Sequence, residues 1–210
     1  MDDLRPALVI SGTPASGKDA ITDSLSVETD VLNGWAFSIL KKDKLVDDIE
    51  SAAQEPRNRP YNLVDIHTFS NKIRSGDYIQ HHQRYGKGYA VSRQELERMW
   101  RQKQIPVIHN GKQENLAAFQ HSELMCFHVL LLCSRDATLV RLQKRHGDDS
   151  QECARRLTAY DEERQELAGL LVTGGPLHIH IAVATDAVSP VITSSWIAEA
   201  AKNYWRSAQE

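Results

Sequence analysis

Short apolar runs alternate along the chain with longer amphipathic stretches. Ala7-Leu-Val-Ile-Ser11 is apolar and predicts a strand buried on both faces, with a helical pattern over about 17–27 after it. Trp35–Leu40 reads as a second short buried strand. The segment from Lys41 to Pro60 is polar, carries Pro56 and Pro60, and predicts mostly loop with a helical turn or two. Val64–Arg74 has helical periodicity, and Tyr78–Ser92 alternates aromatic and polar residues around Gly86 and Gly88, as a small antiparallel ribbon does. Ser92-Arg-Gln-Glu95 has the form of a capping box that opens a helix. Pro106–Asn110 predicts a strand, Asn115–Gln120 a helix, and Phe127–Cys133, the most apolar run, a central parallel strand. Two charged helical patterns, about 136–146 and 150–170, precede a strand over Leu177–Ala184 and a last helix from Pro190 capped by Ser189. Strands separated by helices predict an α/β three-layer fold, with a mostly parallel five-stranded sheet covered on both faces.

The junction between the first strand and the first helix changes this picture most. It spells Gly12-Thr13-Pro14-Ala15-Ser16-Gly17-Lys18, the G-x-x-x-x-G-K of a phosphate-cradling loop, in the strand–loop–helix order such a loop requires. Gly12 and Gly17 let the backbone curl so that its N–H groups point inward. Lys18 adds a cation, and the start of the helix, through Asp19 and Ala20, adds the positive end of its dipole. Where Ser or Thr usually follows the lysine to ligate Mg²⁺, this chain has Asp19. A carboxylate can hold the hydrated metal there, and it also complements a helix N-terminus.

A second cluster lies at 139–157. Arg141 and Arg145 are four residues apart on one helix face, Gly147 breaks the helix, Asp149 or Ser150 can cap the next, and that next helix carries Arg155 and Arg156. Two arginine-bearing helices meeting at a turn are either the parts of a lid that closes guanidinium groups onto a transferring phosphoryl group or a solvated charged hairpin.

Bulk properties narrow the partners. The 25 Lys and Arg against 28 Asp and Glu give a net charge of −3, so no global basic field points to nucleic acid. Three cysteines without a C-x-x-C pair fit reduced thiols rather than a disulfide framework. No run approaches the roughly 20 apolar residues that span a bilayer, and the acidic start Met1-Asp-Asp is unlike a signal peptide, so a cytoplasmic location is expected. His178 and His180 fall on one face of a strand, where packing rather than metal binding is the expectation.

In these motifs and their order the chain resembles the guanylate kinase superfamily of P-loop nucleoside monophosphate kinases. The opening S-G-T-P-A-S-G-K-D is similar to that family's S-G-P-S-G-x-G-K-[SD]. The stretch from Phe69 through Gly76-Asp-Tyr78 to Tyr85-Gly-Lys-Gly-Tyr89-Ala-Val-Ser92 resembles its acceptor-binding F…G-x-F-x-E…G-x-x-Y-G-T-S. The lid resembles its R-L-x-x-R-G-x-D-S…R-L. Three departures stand out. The family's T-T-R-x-x-R becomes Ile39-Leu-Lys41-Lys42-Asp-Lys44, in which Lys44 can stand for the first arginine. Its guanine-reading acid becomes Gln80, and its Asp after a strand becomes Val107-Ile-His109-Asn110-Gly111-Lys112. A carboxylate accepts from both N1–H and N2–H₂ of guanine and an amide offers one acceptor, so guanine specificity is not expected. The V-I-H-N-G-K segment is similar to the V-V-N-G-S-R of ribose 1,5-bisphosphate phosphokinase, a branch of the same superfamily.

The resemblance implies one kinase domain over 1–210, with a core of 1–40, 104–134 and 172–210, an acceptor-binding insertion at about 41–92 and a lid at about 135–171. It also implies ATP and Mg²⁺ as cofactors and a small phosphorylated acceptor. Residues 12–20 would hold the donor, with Asp19 on the metal and Lys18, Arg141, Arg145 and Arg156 on the transferring group. Lys41, Lys42, Lys44, Tyr61, Gln80, Tyr89 and Arg93 are the acceptor-side candidates. A phosphate acceptor needs no general base, whereas an alcohol would need one, with Asp43, Asp47 or Asp48 as the carboxylates to hand. A sugar-phosphate kinase, a non-catalytic module, a nucleotide hydrolase and a homodimer all stay open.

Overall fold

A computed structural model describes residues 5–28, 31–84, 86–110, 115–120, 122–147, 149–172 and 179–208. The apolar run at the start becomes β1 (Pro6–Gly12), buried at every position and central in a five-stranded sheet. β7 (Gln104–Asn110) and β8 (Met125–Leu132) flank it, with β2 (Ala36–Ile39) outside β7 and β9 (Ile181–Ala184) outside β8. Every pairing in this sheet is parallel. Alternation along β1 sends Leu8 and Ile10 to one face, against Ile21 and Leu25 of α1 (Lys18–Leu25) and Ile197 and Trp205 of α8 (Pro190–Ser207). Ala7 and Val9 point the other way, toward Leu96 and Met99 of α4 (Arg93–Arg101) and Leu116 and Phe119 of α5 (Leu116–Gln120). The uninterrupted apolar spelling of β1 thus reflects a strand covered on both sides.

The region 41–64 differs from its loop expectation. Lys42–Leu45 forms β3, Ile49–Ala53 forms α2, Pro56–Asn58 makes one 3-10 turn, and Tyr61–Val64 forms β4. With β5 (Tyr78–Arg84) and β6 (Lys87–Ser92), these strands build a second sheet of order β4-β3-β6-β5, in which only β3 and β4 run parallel. Its charged spelling hides β3, because each charge is matched by tertiary contacts. Asp43 is buried and accepts from Lys72 Nζ and Tyr78 Oη, both at 2.8 Å. The helix expected from Val64 starts only at Ile66 (α3, Ile66–Arg74), where Asp65 Oδ1 accepts from Thr68 N at 2.7 Å. Phe69 of α3 packs with Tyr78, Ala90, Leu45 and Val64 on one face of this sheet. Gly88 belongs to that contact, since a Cβ there would lie 3.1 Å from both Leu45 Cβ and Phe69 Cζ.

The capping box at Ser92 does not form. The Ser92 hydroxyl donates to Asp77 Oδ2 at 2.8 Å, and Asp77 Oδ1 accepts from Gln94 N at 3.2 Å, so Asp77 caps α4 from outside the helix. Glu95 pairs instead with Arg98. The other expected caps hold: Ser189 Oγ accepts from Ile192 N, and Asp149 Oδ1 from Glu152 N.

α6 (Arg135–His146) ends at Gly147, whose φ of 58° reverses the chain into α7 (Ser150–Val172), and the two helices lie against each other. Tyr160 Oη donates to Cys133 O at 2.8 Å and ties α7 to the end of β8. The three cysteines are buried and free. His180 Nδ1 accepts from His128 N at 3.0 Å within a ring cluster containing Phe127 and Tyr204, while His178 lies outside the described residues. Among the described residues, no helix is long and apolar enough to cross a membrane.

Candidate functional site

The loop after β1 sits at the carboxyl end of the central strand, between the ends of β7 and β8, where an open parallel sheet leaves its crevice. Its backbone is bent to a degree that only certain residues accept. Gly12 has φ 153°, and a Cβ there would lie 2.6 Å from Ser16 Oγ and 2.7 Å from Leu131 O. Ala15 at φ 58° is a non-glycine in the left-handed region, and Gly17 at φ 94° precedes α1. Lys18 Nζ lies in the mouth of this curl, donating to Gly12 O at 2.5 Å, Thr13 O at 2.9 Å and Ser16 Oγ at 3.4 Å. Thr13 Oγ1 is buried with no partner among the described residues, a hydroxyl left over inside the loop. Curl, ammonium, spare hydroxyl and helix N-terminus together suit a polyanion.

Beside the loop lies a junction whose residues stood out in the sequence without a role. His109 and Asn110 close β7, paired with Ile10 and Ser11. His109 Nε2 lies 2.7 Å from Thr22 Oγ1 on α1, and Nδ1 lies 3.6 Å from Asp19 Oδ1. Burial pushes the His109 pKa down from its ordinary 6.5 to about 4; Asp19 opposes the shift, while Lys18 and Lys42 add to it. The imidazole is therefore neutral near pH 7. An Nδ1–H toward the Asp19 carboxylate leaves Nε2 to accept from the Thr22 hydroxyl. The signal was present in V-I-H-N-G, but only the parallel register puts His109 against the loop.

The three arginines expected in a lid are in different situations. Arg145 Nη2 lies 3.6 Å from Asp19 Oδ2 and is largely exposed, so it already stands over the head of the loop. Arg141 is anchored below it: Nη1 donates to Ala15 O at 3.0 Å and Thr185 Oγ1 at 3.2 Å, and Nη2 to Thr185 O at 2.6 Å. These bonds fix the guanidinium plane against the loop backbone. With Gly17, Ala20, Ile21 and Thr193, Arg141 lines a hollow of about 210 Å³ between α1 and α8. Arg156 and Arg155 both clasp Glu152, whose carboxyl they hold down at about 2.

The second sheet meets the core through Val91 of β6. Pleating puts Lys42 and Lys44 of β3 on the face opposite Asp43, together with Tyr61 of β4, Tyr89 of β6, and His82 and Gln80 of β5. Lys42 Nζ donates to His109 O at 2.6 Å, joining that face to the strand end beside the loop. Lys44 is 9% exposed; its ammonium donates to Asn58 Oδ1 and lies 5.2 and 5.9 Å from the ring centroids of Tyr61 and Tyr89. Burial, and next Arg57, lower its pKa. The hollow it opens onto, about 220 Å³, is also lined by Arg57, Asn58 and Lys87.

Five of the seven acceptor-side candidates thus share one face. Lys41 is exposed and precedes β3, out of phase with Lys42 and Lys44. Arg93 pairs with Glu123. The carboxylates considered as bases are all engaged: Asp43 on the α3 face, Asp48 capping α2, and Asp47 exposed and paired with Lys87, the last two lining the Lys44 hollow together with Glu55. Among the described residues, no group of three or more His, Cys, Asp or Glu is placed to hold a metal. Mg²⁺ that shares phosphate oxygens and keeps its waters needs only one or two carboxylates, which Asp19 can supply.

The chain matches a guanylate kinase from Anaplasma phagocytophilum with a TM-score of 0.55 and 15% sequence identity, over 99% of this chain and 87% of that one. The fold is guanylate-kinase-like. No protein-family model and no curated protein sequence matches the chain. A guanylate-kinase-like fold accounts for the five-stranded parallel sheet with its glycine-rich loop after the central strand.

Proposed function

We propose that the chain is an ATP- and Mg²⁺-dependent phosphotransferase. It moves the γ-phosphoryl group to a small phosphorylated acceptor, most simply a nucleoside monophosphate or a related nucleotide. The observation that carries this reading is the placement of Lys44. It is a buried ammonium held by an amide oxygen and two aromatic faces, with no carboxylate ion pair among the described residues and Glu55 close enough only to act on its charge, on a sheet face that Lys42 joins to the phosphate-loop side. A buried cation without an ion pair is costly and becomes favourable once an anion joins it.

In this reading the N–H groups of residues 12–20, Pro14 excepted, and Lys18 hold the donor phosphates. Asp19, with His109 beside it, would hold Mg²⁺, which would supply charge neutralisation at the donor phosphates. Arg145 neutralises charge on the transferring group, and Arg156 joins it when the lid closes, exchanging Glu152 for phosphate oxygens. Arg141 takes a different part from the one expected. Its pinned guanidinium presents a flat cationic surface to the donor base in the hollow between α1 and α8. Lys44, Lys42, Tyr61 and Tyr89 receive the acceptor phosphate. That acceptor oxygen is already anionic, so none of Asp43, Asp47 and Asp48 is needed as a base. The retained Lys18 and lid arginines weigh against a non-catalytic module.

The test is transfer of label from γ-labelled ATP to a panel of nucleoside monophosphates and sugar phosphates in Mg²⁺ buffer. Labelled product and acceptor-dependent ADP are expected, with Lys18→Ala lowering the rate on the order of 10²–10³-fold. Turnover that ignores the acceptor, or nucleotide binding without turnover, would contradict it.

A further inference from the structure

The amide that holds Lys44 is itself held from behind. Asn58 is 4% exposed and closes the 3-10 turn Pro56–Asn58. Its Nδ2 donates to Ala52 O in α2 at 2.8 Å and to Glu55 Oε2 at 3.2 Å. Both amide hydrogens are thereby used, so the side chain has one orientation, with Oδ1 toward the Lys44 ammonium. Glu55 Oε2 also accepts from Arg57 Nε at 2.6 Å, and this bond holds the Glu55 carboxyl below its usual range. Four side chains therefore run in series, Arg57 to Glu55 to Asn58 to Lys44. The carboxylate stands one side chain back from the ammonium and has a cation of its own. Arg57 and Glu55 accordingly act on the Lys44 charge in opposite senses.

We propose that residues 55–58 form a charge-balanced clamp whose neutral amide, Asn58, positions the Lys44 ammonium and leaves its charge for the phosphate group of the ligand. The inference rests on the phosphotransferase reading, in which Lys44 meets the acceptor phosphate, and it assigns the residues that keep that lysine available. A carboxylate at position 58 would make a buried ion pair with Lys44, and an incoming phosphate would first have to displace it. A carbonyl oxygen takes one of the three ammonium hydrogens and none of the charge. Arg57 has the matching part behind it: it balances Glu55, whose charge would otherwise act on Lys44 unopposed. Asn58 works through Lys44 and is a positioning residue.

Inorganic phosphate is the probe, titrated by calorimetry into the full chain without nucleotide; the binding that Lys44→Met removes is the binding at this site. Asn58→Asp should lower that affinity by about tenfold or more while Tm stays or rises, because the new carboxylate pairs with the ammonium. Asn58→Ala should lower affinity and Tm together. Glu55→Gln should raise the affinity and Arg57→Gln lower it, each by about two- to threefold, and the double variant should return close to wild type. A merely structural role would make affinity follow Tm throughout. Asn58→Asp with wild-type affinity, or with affinity and Tm falling together, would overturn the proposal, as would a wild-type chain from which Lys44→Met removes no phosphate binding. Affinities that follow charge in this order without any transfer from ATP would support the clamp and refute only the kinase reading. Transfer to an acceptor whose KM is unchanged in Asn58→Asp would refute the clamp alone.

Discussion

Lys18 and Lys44 sit in opposite halves of the site and are held in opposite ways. Lys18 is fixed by two backbone carbonyls and a serine hydroxyl of its own loop, all within six residues. Lys44 is fixed by Asn58, Tyr61 and Tyr89, which come from a turn and two other strands. The proposed donor half is thus made of backbone conformation, which tolerates few spellings. The proposed acceptor half is made of side chains on a sheet face, which can be exchanged to suit another ligand while the sheet remains.

The largest effect expected from this contrast is at Gly12. Gly12→Ala places a methyl group 2.7 Å from the Leu131 carbonyl, a backbone atom that cannot swing aside. Loss of ATP binding by more than about tenfold, together with a lower Tm, is expected by calorimetry and thermal unfolding. Unchanged ATP affinity would break the claim that backbone shape makes this half.

Next in size is the pH response of the junction between the halves. The folded pKa of His109 is depressed, so its contribution to stability is full above about 6.5 and is lost as pH falls from there toward about 4, where the native ring also takes up its proton. Denaturant unfolding at pH 7 and pH 4.5 should show a loss of up to about 3 kcal/mol in wild type, beyond any change shared with His109→Asn, which should lack that component. Parallel pH curves for the two proteins would contradict the buried, neutral imidazole.

The smallest effect is expected at Arg93, whose guanidinium pairs with Glu123 at the surface. Arg93→Ala should leave acceptor KM within about twofold and shift stability by about 0.5 kcal/mol. A KM rise of tenfold would return this residue to the acceptor site.

The same contrast explains what could be read from the sequence. The strand, glycine loop, lysine and helix from Ala7 to Leu25 are local in the chain, and all appear where their spelling predicts. The α6–α7 hairpin is legible for the same reason, with Gly147 and Asp149 acting within a few residues of the turn they make. β3 was illegible because Lys42-Asp-Lys44 becomes strand only when His109, Lys72, Tyr78 and Asn58 arrive from elsewhere to meet its charges. Ser92 misled because Asp77, fifteen residues earlier, takes over its capping role. Arg141 has the right spacing for a lid arginine, yet Thr185, on the far side of the sequence, holds it to the loop backbone. His109 acquires meaning only from its parallel pairing beside β1.

The most direct measurement is the pair of Michaelis constants for Lys44→Met, with ATP and acceptor varied in turn. Met fills much of the same volume without the charge, so the fold should be kept or gain slightly in Tm. The account predicts an acceptor KM raised by about tenfold or more with the ATP KM unchanged. Equal shifts in both constants, or no shift in either, would contradict a site divided between a backbone-made donor cradle and a side-chain-made acceptor face.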